Sequence, residues 1–325
     1  MKLVTRTAFL FAVVVFGASV LRAATPDAIV AADGSAQYKT VQAAINAAPQ
    51  TTTREQPWTI LVKAGTYKEV VYIQREKRFV HLVGEDASKT VITYSLNAGA
   101  IGPDGEKIGT FRTPTVQIDA DDFTVENLTL ENAAGATGQA LAVRVDGDRV
   151  IFRGCRFLGW QDTILINRGR QYFENCFIAG ATDFIFGGAT AWFENCELHI
   201  AGNGFITAAS TPPDAKFGYV FNRCRITAIS PEVKTYLGRP WRSYASTIFL
   251  RTEMAPVVRT EGWQNWGKPE REKTVRYAEY ASTGEGAPAS GRVAWAKALT
   301  DAEASAITLE NVLGGTDNWR PAAAH

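Results

Sequence analysis

The sequence predicts an all-β fold, a parallel β-helix (solenoid) with short capping helices at both ends. Five segments share one pattern, in which an aromatic or apolar start and a polar pair are followed by Leu or Cys and then by alternating residues. They recur at intervals of about 20–28 residues, which suits one coil of a solenoid. No amphipathic helix recurs between them, which argues against βαβ units. The segments are 123–130, 150–157, 171–178, 191–198 and 219–226.

A β-sandwich is the structural alternative. It would show strands every 8–12 residues or so, bounded by turn residues, without a longer repeat. The composition is that of a globular protein, with 46% hydrophobic and 21% charged residues among 325. The net charge of +1 gives no electrostatic argument for nucleic-acid binding.

The chain begins with a pattern typical of a secretory signal peptide. Lys2 and Arg6 precede an apolar run over 8–21, and small residues follow at Ala23 and Ala24. The run is shorter than the roughly 20 residues of a membrane span, so an uncleaved anchor is the less favoured alternative. We predict a signal peptide over 1–23 and a single β-helix catalytic domain over 24–325. The mature chain should be exported, either secreted to the extracellular medium or periplasmic, with no membrane association.

Helical patterns occur only near the two ends of the solenoid. Residues 41–49 can cap its front. Thr300 and Glu303 form a capping box, and the spaced apolar residues after it can close the rear. A solenoid needs such caps over its open core, and a capped solenoid needs no second chain, so we expect a monomer.

The four cysteines all fall at the same position of the repeat: Cys155, Cys176, Cys196 and Cys224. An even number in an exported protein suggests disulfides, and the spacing of about 4.8 Å between coils permits them. The same position also suits an inward stack of thiols, which behave as small hydrophobic groups. We favour buried thiols and keep disulfides as the alternative. The spacings do not match a zinc site.

Two carboxylates follow the cysteines in register. Asp162 lies seven residues after Cys155, and Asp183 lies seven after Cys176. Stacked cysteines therefore predict carboxylates about 5 Å apart on neighbouring coils, so that one pKa rises and the other falls. Such a pair can divide into an acid and a base or nucleophile. Alternatively, both are ordinary turn residues at coil corners.

The neighbours of Asp183 favour the functional interpretation. Asp183 opens the apolar run 183–187, where a carboxylate is costly unless it is paired. Arg239, in the run 237–241, could hold it ionised through a bidentate ion pair.

Several kinds of active site have no counterpart in the sequence. The three histidines are His81, His199 and His325, and His81 lies in an apolar strand where a structural role is expected. No serine-nucleophile elbow occurs after the expected signal peptide, and neither the dinucleotide-binding glycine pattern nor the P-loop occurs. If the protein is an enzyme, we expect carboxylates, amides and an arginine to do the work, without an organic cofactor.

At these residues the chain resembles the pectin methylesterase (pectinesterase) family. The resemblance runs from about residue 28 to 321, and its motifs occur in the family's order. Ile164 stands where Leu is usual, and Trp160 stands where Tyr or Phe is more familiar, which leaves the preferred polymer pattern open. The motifs are 33–45, 65–69, 138–143, 161–164, 183–187 and 237–241, followed by the tail 299–303 through 319–321.

The resemblance implies a right-handed parallel β-helix that hydrolyses methyl-esterified homogalacturonan to methanol and a free carboxylate. It implies no metal and no cofactor. The implied roles are Asp183 as nucleophile, Asp162 as general acid and then base, Gln139 and Gln161 as oxyanion donors, Arg239 as the group that orients Asp183, and Trp241 and Phe186 as sugar contacts.

Three other functions are the alternatives. A calcium-dependent pectin lyase would need a carboxylate cluster, which the sequence does not show. An inverting hydrolase would need carboxyls roughly 6.5–9.5 Å apart, more than neighbouring coils predict. A non-catalytic polysaccharide-binding protein, or a family member acting on another ester or thioester, is the third; degraded motifs would favour it, but all motifs are present.

Overall fold

The computed structural model describes residues 25–288 and 290–322. The expected signal peptide over 1–23 lies outside the described residues, as does His325. The described chain forms a parallel β-helix that is built mainly from short strands. The strands are β1 Ala28–Val30, β2 Trp58–Val62, β3 Gly65–Lys68, β4 Val71–Ile73, β5 Val80–Gly84, β6 Thr90–Tyr94, β7 Val116–Ile118, β8 Thr124–Glu126, β9 Thr129–Asn132, β10 Val143–Val145, β11 Val150–Arg153, β12 Arg156–Leu158, β13 Ile164–Ile166, β14 Arg170–Glu174, β15 Phe177–Gly187, β16 Thr190–Glu194, β17 Glu197–Ala209, β18 Tyr219–Asn222, β19 Arg225–Ala228, β20 Thr235–Gly238, β21 Ser246–Leu250, β22 Glu253–Met254, β23 Arg276–Tyr280 and β24 Lys297–Ala298.

These strands form three parallel ladders, which we call faces one, two and three. Face one has the order β1-β2-β5-β8-β11-β14-β16-β18-β21-β23-β24. Face two runs β3-β6-β9-β12 and continues through the first halves of β15 and β17 to β19 and β22. Face three runs β4-β7-β10-β13 and continues through the second halves of β15 and β17 to β20. Strands β15 and β17 are long enough to turn the corner between faces two and three.

Left-handed residues make the corner between faces one and two. The residue before each stacked Leu or Cys has a positive φ, a conformation that Asn and Gly adopt more easily than other residues. This explains the Asn and Gly residues at the bends of the repeat. The corner residues are Asn127, Gly154, Asn175, Asn195 and Arg223, with φ between 51 and 56°.

The interior of the solenoid is a column of stacked side chains. Phe152, Phe173, Phe193, Phe221 and Phe249 stack from coil to coil, with successive ring centroids 4.8, 4.5, 4.4 and 4.5 Å apart. The four cysteines are buried in the same core as free thiols, which confirms the stacked-thiol interpretation over the disulfides. The register that was inferred from them for the carboxylates therefore applies.

The front cap forms as expected. Helix α1, Val41–Ala47, begins at Thr40, whose side chain accepts a hydrogen bond from the Ala43 amide. Its buried residues Val41, Ala44 and Ile45 join the core.

The C-terminal helices form but do not lie over the rear opening. Helix α2, Asp301–Ser305, begins with the expected capping box of Thr300 and Glu303, and α3 is Leu309–Leu313. They pack on the outside of face one, where α3 contacts β16. Outward apolar side chains such as Tyr172 and Trp192 need cover there, and Val312, Leu313 and Trp319 supply it. We call residues 299–322 the C-terminal strap.

Within residues 25–288 and 290–322, no helix is both long enough and apolar enough to cross a membrane. Besides α1 to α3, two short 3-10 helices occur at Thr110–Arg112 and Pro269–Lys273.

Candidate active site

A cleft of about 340 Å³ lies on the outside of face three. All seven residues that the sequence selected line it, and four further residues complete the wall. The lining residues are Thr110, Phe111, Gln139, Gln161, Asp162, Asp183, Phe186, Ala208, Arg239, Trp241 and Trp266.

The coil register brings the polar residues together. Gln139 pairs with Gln161, and Gln161 pairs with Thr182, as parallel bridges on three successive coils. The backbone amide of Asp162 donates to the carbonyl of Thr182 at 3.0 Å. Asp162 and Asp183 therefore belong to neighbouring coils at the start of one ladder, as the spacing from the cysteines predicts.

Both carboxylates lie at bends of the backbone. Asp162 has φ 63° and Asp183 has φ 50°, in the left-handed region that Asp tolerates better than most residues. The pairing of β15 with β17 shifts register between Thr182 and Ile185. Such an irregularity changes the direction in which a strand's side chains point, here that of Asp183. The alternative that both aspartates are turn residues is therefore correct for their backbones, but their side chains line the cleft.

Asp183 is held by a two-point ion pair with Arg239. The guanidinium donates from Nε to Oδ1 at 2.9 Å and from Nη2 to Oδ2 at 2.7 Å. The Asp183 side chain is 7% exposed and that of Arg239 is 20% exposed, so water screens this pair little. Such geometry fixes the carboxylate's orientation as well as its charge.

Asp162 is also buried, at 8% exposure, but its surroundings differ. Within the described part of the chain, its carboxyl makes no hydrogen bond or ion pair. Burial and the charge of Asp183 raise the pKa of Asp162 to about 8. The positive charge of Arg239 opposes this rise but is the weaker effect. At neutral pH Asp162 therefore carries a proton that it can donate.

The sequence predicted that one carboxyl pKa would rise and the other would fall, and only the rise is correct. Burial also raises the pKa of Asp183, although the hydrogen bonds and charge of Arg239 oppose that effect. The sequence argument expected one pKa to fall, because it considered charges and left out the burial of the carboxylates. The order of ionisation is nevertheless clear, since the arginine holds only Asp183.

The two glutamines place amide groups beside the carboxylates. Their backbones are tied into the ladder, where the Ala140 amide donates to the Gln161 carbonyl at 3.1 Å. Their side-chain amides make no hydrogen bond within residues 25–288 and 290–322, so both can donate to a ligand. Two amide donors next to a buried carboxylate can stabilise an oxyanion.

An apolar wall borders the polar groups on face three. Leu141, Leu165, Phe186 and Ala208 form an outward cluster, against which Trp241 and Trp266 pack. The rings of Phe186 and Trp241 lie 5.7 Å apart at 60°. Phe186 is only 4% exposed, so Trp241 offers the larger surface to a ligand.

Five residues at or behind the cleft were not predicted from the sequence: Thr110, Phe111, Ala208, Phe205 and Trp266. Thr110 and Phe111 belong to the short 3-10 helix Thr110–Arg112, and the Phe111 carbonyl accepts a hydrogen bond from Arg144 Nη1 at 3.1 Å. Trp266 and Phe205 lie against Arg239. The two nearby tryptophans Trp263 and Trp266 were the only hint of Trp266 in the sequence. A sequence with many buried aromatic residues does not show whether a given ring faces the core or the cleft.

Comparisons with known proteins point to one family. A family model described as pectinesterase matches residues 27–316. Pectinesterase 31 of Arabidopsis thaliana is 40% identical over 281 residues, covering 85% of this chain and 88% of that protein. The pectin methylesterase from carrot superposes with a TM-score of 0.84 at 36% identity, covering 90% of this chain and 94% of that one. A pectin methylesterase crystallised with a hexasaccharide gives a TM-score of 0.80 at 33% identity, covering 93% of this chain and 100% of that one.

Proposed function

Because the chain belongs to the pectinesterase family, it is a carboxylic ester hydrolase of pectin, and we propose that Asp183 is its nucleophile and Asp162 its general acid and base. One observation carries this assignment. Two buried carboxylates lie on neighbouring coils, and only one of them is held by an arginine. The arginine-held carboxylate can attack, and the protonated one can donate.

In the first half of the reaction, an Asp183 oxygen forms a bond to the carbonyl carbon of a galacturonate methyl ester. The amides of Gln139 and Gln161 donate to the oxygen that becomes negative. The bond from this carbon to the methoxy oxygen then breaks, and Asp162 gives its proton to the departing methanol. An acyl-enzyme on Asp183 and an ionised Asp162 remain.

In the second half, Asp162 accepts a proton from water while the hydroxide attacks the acyl carbon. The bond to Asp183 breaks, which frees the polymer's carboxyl group and restores both aspartates to their starting states. The sum is one ester and one water converted to one acid and one methanol. Trp241, with Phe186 behind it, offers an apolar surface to the sugar rings of the polymer.

The setting of the reaction is part of the same proposal. The amino-terminal pattern over 1–23 supports export, and the substrate is a polymer that would be met outside the cytoplasm. The front cap α1, which covers one end of the core from within the same chain, supports a monomer.

The test is methanol release from highly methylated pectin by wild type and Asp183→Asn, each with and without a chelator. We expect chelator-insensitive release that falls by roughly three orders of magnitude or more in the variant, since the nucleophile is lost. The product is scanned at the same time for the unsaturated ends that a lyase makes.

Asp122→Asn is the matched control, because Asp122 is a buried carboxylate bound by Arg149 and Arg78 away from the cleft. It should retain wild-type kcat. Methanol release that survives in Asp183→Asn would contradict the nucleophile assignment, and unsaturated ends would mean a lyase reaction.

A further inference from the structure

Arg239 is held by two aromatic rings as well as by Asp183. Its guanidinium carbon Cζ lies 3.9 Å from the ring centroid of Phe205 and 3.8 Å from that of Trp266. We propose that Phe205 and Trp266 are positioning residues, which clamp the guanidinium in the one orientation that presents both of its donors to Asp183. The proposal rests on the proposed role of Asp183 as nucleophile.

The geometry leaves the guanidinium few other orientations. Its edge, with Nε and Nη2, is occupied by the two oxygens of Asp183. Two rings with centroids less than 4 Å from the same Cζ would overlap if both lay on one face of the guanidinium. The rings of Phe205 and Trp266 therefore lie on opposite faces of it. Rotation of the guanidinium out of its plane would drive it into one ring or the other.

Phe205 is supported by the coil register. It pairs with Thr182, next to Asp183, on one side and with Tyr236 on the other. The rings of Phe205 and Tyr236 stack with centroids 5.3 Å apart and planes 12° apart. The ladder that places Asp183 thus also places the ring under its arginine.

Trp266 reaches the guanidinium from the following coil through a strained backbone. Its φ is 65°, a left-handed value that a bulky residue rarely adopts. Its amide donates to Gln264 Oε1 at 2.6 Å, and the Gln264 amide donates to the carbonyl of Gly238 at 3.1 Å. The turn bearing Trp266 is therefore tied to the residue that precedes Arg239.

The rings supply what hydrogen-bonding neighbours would not. Aromatic faces attract a cation and exclude water, and they do not compete with Asp183 for the N–H groups. A long arginine side chain without them would sample several rotamers and would engage Asp183 only part of the time. Asp183 would then lose alignment and part of the interaction that favours its charged form.

Phe205 gives the sharper test, because it does not line the cleft whereas Trp266 does. We would measure kcat, KM and the pH dependence of kcat/KM for wild type, Phe205→Leu and Phe205→Tyr. We expect Phe205→Leu to lose roughly 10- to 100-fold in kcat, because a small displacement of reacting groups costs that much, with KM changed less than about twofold. Its acid limb should move to higher pH, since Asp183 would protonate more readily.

Phe205→Tyr keeps the ring and should restore both kcat and the acid limb. Trp266→Phe should likewise retain more kcat than Trp266→Leu. Thermal unfolding of each variant establishes that the folded proteins are being compared.

Wild-type kcat and an unmoved acid limb in folded Phe205→Leu would overturn the clamp. So would a loss of kcat without a shift of the limb, or a loss that Tyr does not restore, because either result indicates a structural role. Asp183→Asn is assayed in parallel. If it keeps its activity, the proposed function itself fails, whereas if it is inactive and Phe205→Leu is normal, only the clamp fails.

Discussion

Among the residues that the structure describes, the carboxyl group of Asp162 is buried and has no hydrogen-bonding partner, so its ionisation costs the fold stability at neutral pH. Its pKa is about 8 in the folded state, against about 4 in an unfolded chain. Between these values the folded state binds more protons than the unfolded state. The free energy of unfolding therefore decreases as pH rises from about 4 to about 8, so the raised pKa that the proposed acid role requires lowers stability at neutral pH.

Asp162→Asn should separate these two effects. The neutral amide removes the buried charge, so we expect the free energy of unfolding at pH 7 to increase by an amount on the order of 1–4 kcal/mol, while methanol release is lost. The gain should shrink to less than about 0.5 kcal/mol near pH 4, where the wild-type carboxyl is protonated in the folded state and about half protonated in the unfolded chain. Urea unfolding at the two pH values measures it. Asp122→Asn, which breaks a buried ion pair, should be destabilised at pH 7 instead; a destabilised Asp162→Asn would contradict the assignment.

Strand β20 and the turn after it carry Arg239 to the cleft, and they pack against β17 without room for a side chain. A Cβ at Gly238 would lie 2.0 Å from Oγ1 of Thr207 and 3.0 Å from its backbone oxygen. That hydroxyl is itself committed, because it donates to the carbonyl of Leu237 at 2.9 Å. The close approach of the two strands determines where the next residue, Arg239, begins.

Gly238→Ala should therefore push the Arg239 turn outward. We expect kcat to fall by roughly 10- to 100-fold in the folded variant, because the guanidinium can no longer meet both oxygens of Asp183. Gly65→Ala is the matched control in another strand, since the nearest atom to its Cβ would be Ala32 Cβ at an ordinary 3.5 Å. Steady-state kinetics with thermal unfolding decides between them; equal kcat in both variants would rule out the packing argument.

The cleft and the C-terminal strap lie on different faces of the solenoid. The cleft is built on face three, whereas the strap lies on face one. Trp319 is 6% exposed there, and the guanidinium of Arg170 lies 5.6 Å from its ring and pairs with Asp317. The strap thus stabilises the solenoid at a distance from the reacting groups.

Trp319→Ala should lower stability and spare catalysis. We expect a loss of roughly 3–5 kcal/mol in the free energy of unfolding, because a large buried ring leaves a cavity, with kcat unchanged. Arg320→Ala removes only an exposed ion pair with Glu310 and should cost less than about 1 kcal/mol. Denaturant unfolding and methanol release test both; a fall in kcat of folded Trp319→Ala would show that the strap and the cleft are coupled.

Much of this architecture follows from the sequence, because a solenoid repeats its packing from coil to coil. Equivalent positions stack at a constant spacing, so the step from Cys155 to Cys176 carries Asp162 onto Asp183. Local signals were equally sufficient for α1 and for the capping box at Thr300 and Glu303. The location of the C-terminal helices was not local information, since it depends on which outer face of the solenoid is apolar.

The sequence by itself determined the repeat, the stacked cysteines, the neighbouring carboxylates and the arginine that could serve them. Only the tertiary structure decided how strongly the carboxylates are buried, that both pKa values rise, and that Phe205 and Trp266 enclose Arg239. The physical reason is that register is a property of the chain, and it repeats. Burial and the enclosure of a side chain depend instead on residues from several coils and from loops outside the repeat. The spacing of residues along the chain does not show which of these residues come into contact.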